Sequence, residues 1–121
     1  KAIEIDPSDG YSYRNRGYAK SKLKDDEGAI FDFNKAIEID PSDGFSYRNR
    51  GYAKSKLKDD EGAISDFNKA IKIDPKDEYA YFNRGNAKKL IGEINNACSD
   101  WRIAYSLGYQ DAAKWVSNQC Q

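Results

Sequence analysis

The sequence predicts an all-α solenoid: three antiparallel helical hairpins stacked in line and closed by a C-terminal capping helix. Three observations carry this reading. Proline recurs at Pro7, Pro41 and Pro75, thirty-four residues apart. Residues 1–34 and 35–68 match at every position except Tyr11/Phe45 and Phe31/Ser65, and a looser third copy runs on from Lys69. Within each copy the apolar residues fall at helical spacing. A fixed period of this length marks a repeat architecture, in which small units stack on their neighbours. Such a stack works through the surface it creates, so no reaction centre is expected.

The chain divides as a single domain. Residues 1–9 read as the end of a truncated upstream unit, cut from or built as part of a longer array. Units follow at 10–43, 44–77 and 78–109, and a capping segment at 110–121. The first helix of each unit begins after a loop such as Asp40 to Gly44. There Pro41 stops the preceding helix, and Ser42 or Asp43 can cap the next. Asp59, Asp60 and Glu61 open the second helix, where acids complement the positive end of the helix dipole. Its apolar stripe is Ala63, Ile64, Phe67, Ala70, Ile71 and Ile73. Helices are expected near 10–23, 26–39, 44–57, 60–73, 78–91, 94–107 and 111–119. Consecutive helices are joined too tightly to do anything but fold back on each other.

Gly17, Gly51 and Gly85 sit inside the first helices, where glycine costs ~1 kcal/mol relative to alanine. Ala29, Ala63 and Ala97 occupy the matching place in the second helices. Small residues on both partners allow a close approach of the helix axes. The last unit replaces Asp-Pro with Leu107-Gly108-Tyr109, and Ala112, Ala113, Trp115 and Val116 then form an amphipathic cap with Trp115 as packing.

Both charge signs number twenty, so no nucleic-acid arm or acidic tail unbalances the chain. Mean hydropathy is −0.93, as suits a thin layered structure with much solvated helix surface. No apolar run approaches the ~20 residues that span a bilayer, so no membrane association is expected. No basic-then-apolar leader indicates secretion, which leaves an intracellular setting as the expectation. The chain has two cysteines and no histidine, too few ligands for a structural zinc site. With no phosphate-cradling loop and no nucleophile–base pair, neither an enzyme nor a cofactor or metal site is expected.

These residues resemble the tetratricopeptide repeat family across practically the whole chain. The second unit supplies its motif as Tyr47, Gly51, Ala63, Phe67, Ala70 and Pro75. The first has Tyr13, Gly17, Ala29, Phe33, Ala36 and Pro41, and the third Tyr81, Gly85, Ala97, Trp101 and Ala104. Two departures stand out. Arg16/Lys20, Arg50/Lys54 and Arg84/Lys88 replace the family's leucine and tyrosine on the first helix. Charges at a helix seam need partners, and Asp32, Asp66 and Asp100 are offered at a fixed offset. An Arg–Asp pair inside each hairpin is therefore expected, with the Lys stem lying over apolar surface; the alternative points all three arginines to water. Secondly, Lys24 and Lys58 replace the turn glycine that Gly92 keeps, and a left-handed conformation there costs a non-glycine ~1–2 kcal/mol. If the cap folds back on the last helix, Cys98 and Cys120 come near each other; they are either a disulfide or small buried hydrophobes.

On the first helix, Tyr11, Arg14, Tyr18, Ser21 and Lys22 lie opposite the packed face. In the family that side is a peptide-binding groove, and the offsets resemble its contact positions. The second unit presents Phe45, Arg48, Asn49, Tyr52 and Lys56, and the third Tyr79, Phe82 and Asn86. Basic residues collect on the first helices and acids on the turns and second helices, so a positive, aromatic concave wall is expected, drawing an acidic or carboxylate-ended peptide of another protein. Some members clamp a terminal carboxylate with lysine, asparagine and arginine. Of the positions Arg14, Tyr18, Asn49, Tyr79 and Asn83, only Asn49 matches and Arg14 substitutes, which implies that this clamp is absent.

Two other readings remain. Units this alike could assemble end to end or by swapping, through the segment from Lys1 to Pro7 with Ile3 and Ile5 uncovered, giving a homo-oligomer. Tyrosines interleaved with basic residues could stack single-stranded nucleic acid, which overall neutrality makes the least favoured partner.

Overall fold

The computed structural model describes residues 5–120 and holds seven helices among them. They are α1 (Gly10–Lys22), α2 (Asp26–Ile39), α3 (Gly44–Lys56), α4 (Asp60–Ile73), α5 (Glu78–Leu90), α6 (Ile94–Ser106) and α7 (Ala112–Gln119). Each expected helix is present, with ends that differ by at most one residue. Hairpins α1/α2, α3/α4 and α5/α6 stack through α2 on α3 and α4 on α5, while α7 packs on α6. The first helices line one wall and the second helices the other. The half-hairpin expected before Pro7 rests largely on residues 1–4, which lie outside the described residues.

Aspartates start the helices. Asp43 accepts from the Ser46 backbone N–H at 3.2 Å and from its hydroxyl at 2.7 Å, while Ser42 turns away to Asp40. Asp25 and Asp59 accept from the backbone N–H groups of Gly28 and Gly62, each at 3.0 Å. The turns inside the hairpins are left-handed, with φ of 66° at Lys24, 71° at Lys58 and 89° at Gly92. In that conformation the Asp25 N–H reaches the Lys20 carbonyl at 2.8 Å and closes the helix end. Lysine thus carries the strain that glycine avoids in the third unit.

Phe33, Phe67 and Trp101 are fully buried, each against the small residues of its own hairpin. A Cβ on Gly51 would lie 2.8 Å from the Phe67 ring, and one on Gly85 would lie 2.6 Å from Trp101 Nε1. Glycine is what lets these rings approach the facing helix so closely.

The buried acids pair as expected. Arg16 Nη2, Arg50 Nη2 and Arg84 Nη2 donate to Asp32, Asp66 and Asp100 at 2.7, 2.7 and 2.8 Å, with Nε completing each fork. The lysines do more than lie over apolar surface: Lys20, Lys54 and Lys88 reach the same three carboxylates, each at 3.2 Å. Two cations thus meet one buried carboxylate in every hairpin. Burial pushes the Asp32 carboxyl up, but the hydrogen bonds and charges of Arg16 and Lys20 outweigh it and hold it below its ordinary value.

The cap is bonded as well as packed. Cys98 and Cys120 form a disulfide with their Cα atoms 5.8 Å apart, so the pairing alternative holds over that of two free thiols. Trp115 sits 5.4 Å from Trp101 and 5.8 Å from Phe82, ring centre to ring centre, and is packing as expected.

Candidate functional site

The inward face of α1, α3 and α5 forms an open cleft of about 750 Å³. Of the expected contact residues it gathers Tyr18, Lys22, Phe45, Arg48, Asn49, Tyr52, Lys56 and Tyr79. Lys22 and Lys56 are exposed and stand over the rings of Tyr18 and Tyr52, at 5.1 and 5.0 Å, one such pair in each of the first two units. Asn49 donates its amide to the Phe45 carbonyl at 2.9 Å, which holds it in place on the wall.

The two arginines are engaged in a way the sequence reading missed. Arg14 lies between the rings of Tyr11 and Phe45, at 4.4 and 4.6 Å, and Arg48 between Phe45 and Tyr79, at 5.4 and 5.2 Å. Each also donates through Nη1 to the aspartate that caps the next unit's first helix: Arg14 to Asp43 at 3.2 Å and Arg48 to Asp77 at 3.3 Å. The result is a ladder of alternating rings and guanidinium groups across the units, in which cation–π contact supplements ion pairing. Burial raises the Asp77 carboxyl above its ordinary range despite the Arg48 charge beside it.

This corrects the charge expectation. The concave wall is aromatic, but Arg14 and Arg48 are each matched by an aspartate, so its uncompensated basic character rests on Lys22, Lys24 and Lys56. Lys24 and Asp26 belong to the cleft and were not expected there. Lys24 comes from the left-handed turn of the first hairpin. Arg14 lines an adjoining cleft of about 510 Å³ together with Asp40, Asp43, Asp74, Asp77 and Glu78. Charge therefore divides along the concave face, with acids at the starts of the first helices and lysines at their ends.

Two expected groove residues are drawn elsewhere. Phe82 packs edge-on against Tyr109 at 4.7 Å and meets Trp115, beneath the cap. Asn86 accepts a hydrogen bond from Trp101 Nε1 at 3.1 Å, so its carbonyl orients a core ring. Phe82 replaces the arginine of the first two units, and Asn86 replaces their tyrosine. Those substitutions fit a unit that must meet a cap. Tyr11 remains exposed at the other end, outside the main cleft and stacked on Arg14.

Comparisons with known proteins give the same picture. A tetratricopeptide repeat model matches residues 10–43 and a TPR repeat model residues 56–92. The chain superposes on the Arabidopsis OM64 TPR domain with a TM-score of 0.89 at 28% identity, covering 94% of this chain and 95% of that one. It also matches the second TPR of Spaghetti (RPAP3) bound to the HSP90 peptide SRMEEVD, with a TM-score of 0.80, 28% identity, and 84% and 94% coverage. For the TPR2B domain of yeast Sti1 in complex with pHsp70 the TM-score is 0.83 at 25% identity, with 92% of each chain covered. No curated protein matches the chain in sequence. With the period, the glycine–aromatic seams and the stacked hairpins now joined by these matches, the chain belongs to the tetratricopeptide repeat family.

Proposed function

We propose that this domain is a protein-interaction scaffold whose concave cleft binds an acidic or carboxylate-ended peptide segment. The observation that carries the reading is the repeated Lys–Tyr pair, Tyr18/Lys22 and Tyr52/Lys56, on one wall of the same cleft. Each ring offers rigid apolar area, and each ammonium a charge-assisted hydrogen bond. Two of the similar domains are complexes, one with the HSP90 peptide SRMEEVD and one with pHsp70. The HSP90 peptide holds two glutamates and ends on aspartate, in keeping with a cleft that reads carboxylates. Asn49 and Asn83, each three residues before Tyr52 and Asn86, add neutral hydrogen-bonding groups to the wall.

Against end-to-end self-assembly stands the third unit. Arg102 occupies the place of Asn34 and Asn68, and Phe82 that of Arg14 and Arg48. α7 packs on α6 as α3 packs on α2 and α5 on α4, so a second copy stacked on this end would have to displace the cap.

Calorimetric titration tests the proposal, using a short Glu-rich peptide with a free terminal carboxylate and its Gln-substituted counterpart. Micromolar binding of the first, about −8 kcal/mol, that weakens as salt rises supports the reading. Equal affinity for both peptides, or binding to neither, contradicts it.

A further inference from the structure

We infer that the Cys98–Cys120 bond is a redox latch that regulates the third-unit end of the cleft, an inference that rests on the peptide-binding reading above. Beside the bond, the cap is held by side-chain packing. α7 has eight residues, fewer than a helix needs to persist alone in water. It packs on the stack through Trp115, Val116 and Cys120, against Ala97, Cys98, Trp101 and Phe82, and through the buried Ala112.

The cap also reaches the cleft. Tyr109, in the segment leading into α7, lies 4.7 Å from Phe82 and 5.3 Å from Tyr79, ring centre to ring centre. Tyr79 lines the cleft and forms the last ring of the ladder, 5.2 Å from the Arg48 guanidinium. Detaching α7 takes Trp115 off Phe82 and frees the segment that holds Tyr109 against Tyr79 and Phe82. Tyr79 then loses its backing, and the wall beside Arg48 loosens. A purely structural disulfide would stiffen the cap without altering what the cleft binds.

The bond is placed for exchange with a dithiol reductant. Cys98 is buried on α6 at 5% exposure, whereas Cys120, at the C-terminal cap of α7, is the more exposed partner. A reductant thiolate attacks Cys120 Sγ and displaces the Cys98 thiolate, which takes up a proton. The second thiol of the reductant then releases Cys120 and closes a cyclic disulfide on the reductant. Two electrons and two protons pass to the protein, and both cysteines end as thiols.

The test uses the whole chain, oxidised or treated with dithiothreitol, beside Cys120→Ser, which lacks the bond without any reductant. Cap opening is read by the rate of Cys98 alkylation, with circular dichroism confirming that the other helices persist. Peptide affinity is read by titration with the Glu-rich peptide. The latch predicts fast Cys98 alkylation in the reduced chain and in Cys120→Ser, affinity three- to tenfold weaker in both, and recovery on reoxidation. Trp115→Ala, which loosens the cap with the bond intact, should weaken binding in the same direction. A reduced chain that keeps Cys98 protected overturns the latch. Fast alkylation with unchanged affinity overturns its coupling to the cleft. If the oxidised chain binds no peptide, the peptide-binding reading fails by itself, and Cys98 protection still decides whether the bond holds the cap.

Discussion

Asn34 on the first hairpin accepts a hydrogen bond from Arg50 Nη1 on the second at 2.8 Å, while the same guanidinium grips Asp66 through Nε and Nη2. Asn68 and Arg84 repeat the contact at the next junction, also at 2.8 Å. A pair buried inside one hairpin therefore also locks that hairpin to its neighbour. Asp66 is 1% exposed, so Asp66→Ala leaves a guanidinium and an ammonium at the half-buried seam without their shared anion and should cost ~3 kcal/mol or more. Asn34→Ala removes one shared bond at an exposed site and should cost only ~1 kcal/mol. Urea denaturation of the two variants checks the order; equal costs would show that the seam and the junction contribute alike.

The seam glycine makes a sharper claim. Gly85→Ala brings a Cβ into the rigid Trp101 ring, whose Nε1 is already held by Asn86. Overpacking of about 1–3 kcal/mol should exceed the ~1 kcal/mol that alanine's helix propensity returns. The variant should therefore denature at lower urea than wild type, and a higher midpoint would contradict the close-approach argument.

At Lys58 the prediction runs the other way. Its φ of 71° is strained for lysine, and glycine relieves ~1–2 kcal/mol of that strain at an entropic cost of about 0.5–1 kcal/mol. Lys58→Gly should raise Tm by a few degrees. A lower Tm would mean that the lysine side chain contributes more than its backbone loses.

The sequence shows the helices, the turns and the Arg–Asp pairs because each recurs, so chance placement is excluded at every copy. Recurrence also carried Tyr18, Lys22, Tyr52 and Lys56 onto one wall. It was silent where a residue serves two partners. Asp43 was legible as a cap candidate beside Ser42, and nothing in a cap signal shows that an arginine twenty-nine positions earlier also uses the carboxylate. Phe82 and Asn86 were misplaced for the opposite reason. The third unit departs from the repeat where it meets the cap, and helical periodicity shows which way a residue points without showing what covers it. The disulfide stayed open because sequence does not give a Cα separation.

Acid titration separates two of these carboxylates. Asp32 is held below its ordinary value, so its contribution is complete above about pH 4 and is lost as pH falls through the folded value. The stability gap between wild type and Asp32→Asn should therefore hold steady down to about pH 4 and close as pH falls further. Asp77 is raised by burial and has the opposite sign: its ionised form costs stability at neutral pH, and that cost is relieved as pH falls through the raised value. Denaturation of both Asn variants across this range checks the signs. Two gaps that change in parallel would contradict them.

The central claim is that a defined part of the concave cleft reads carboxylates, and charge reversal at matched sites tests it most directly. Arg48 is a poor probe, since reversing it also dismantles the ladder with Phe45, Tyr79 and Asp77. Lys56 is exposed in the cleft over the Tyr52 ring, and Lys72 is an equally exposed lysine in the last turn of α4. The measurement is the Kd of the Glu-rich peptide for wild type, Lys56→Glu and Lys72→Glu over a range of salt. The account predicts a roughly tenfold loss for Lys56→Glu, about 1.4 kcal/mol, with a flatter salt dependence, and a near-wild-type Kd for Lys72→Glu. Equal losses from the two reversals would show attraction to charge in general, and no loss from either would leave the cleft without a binding role.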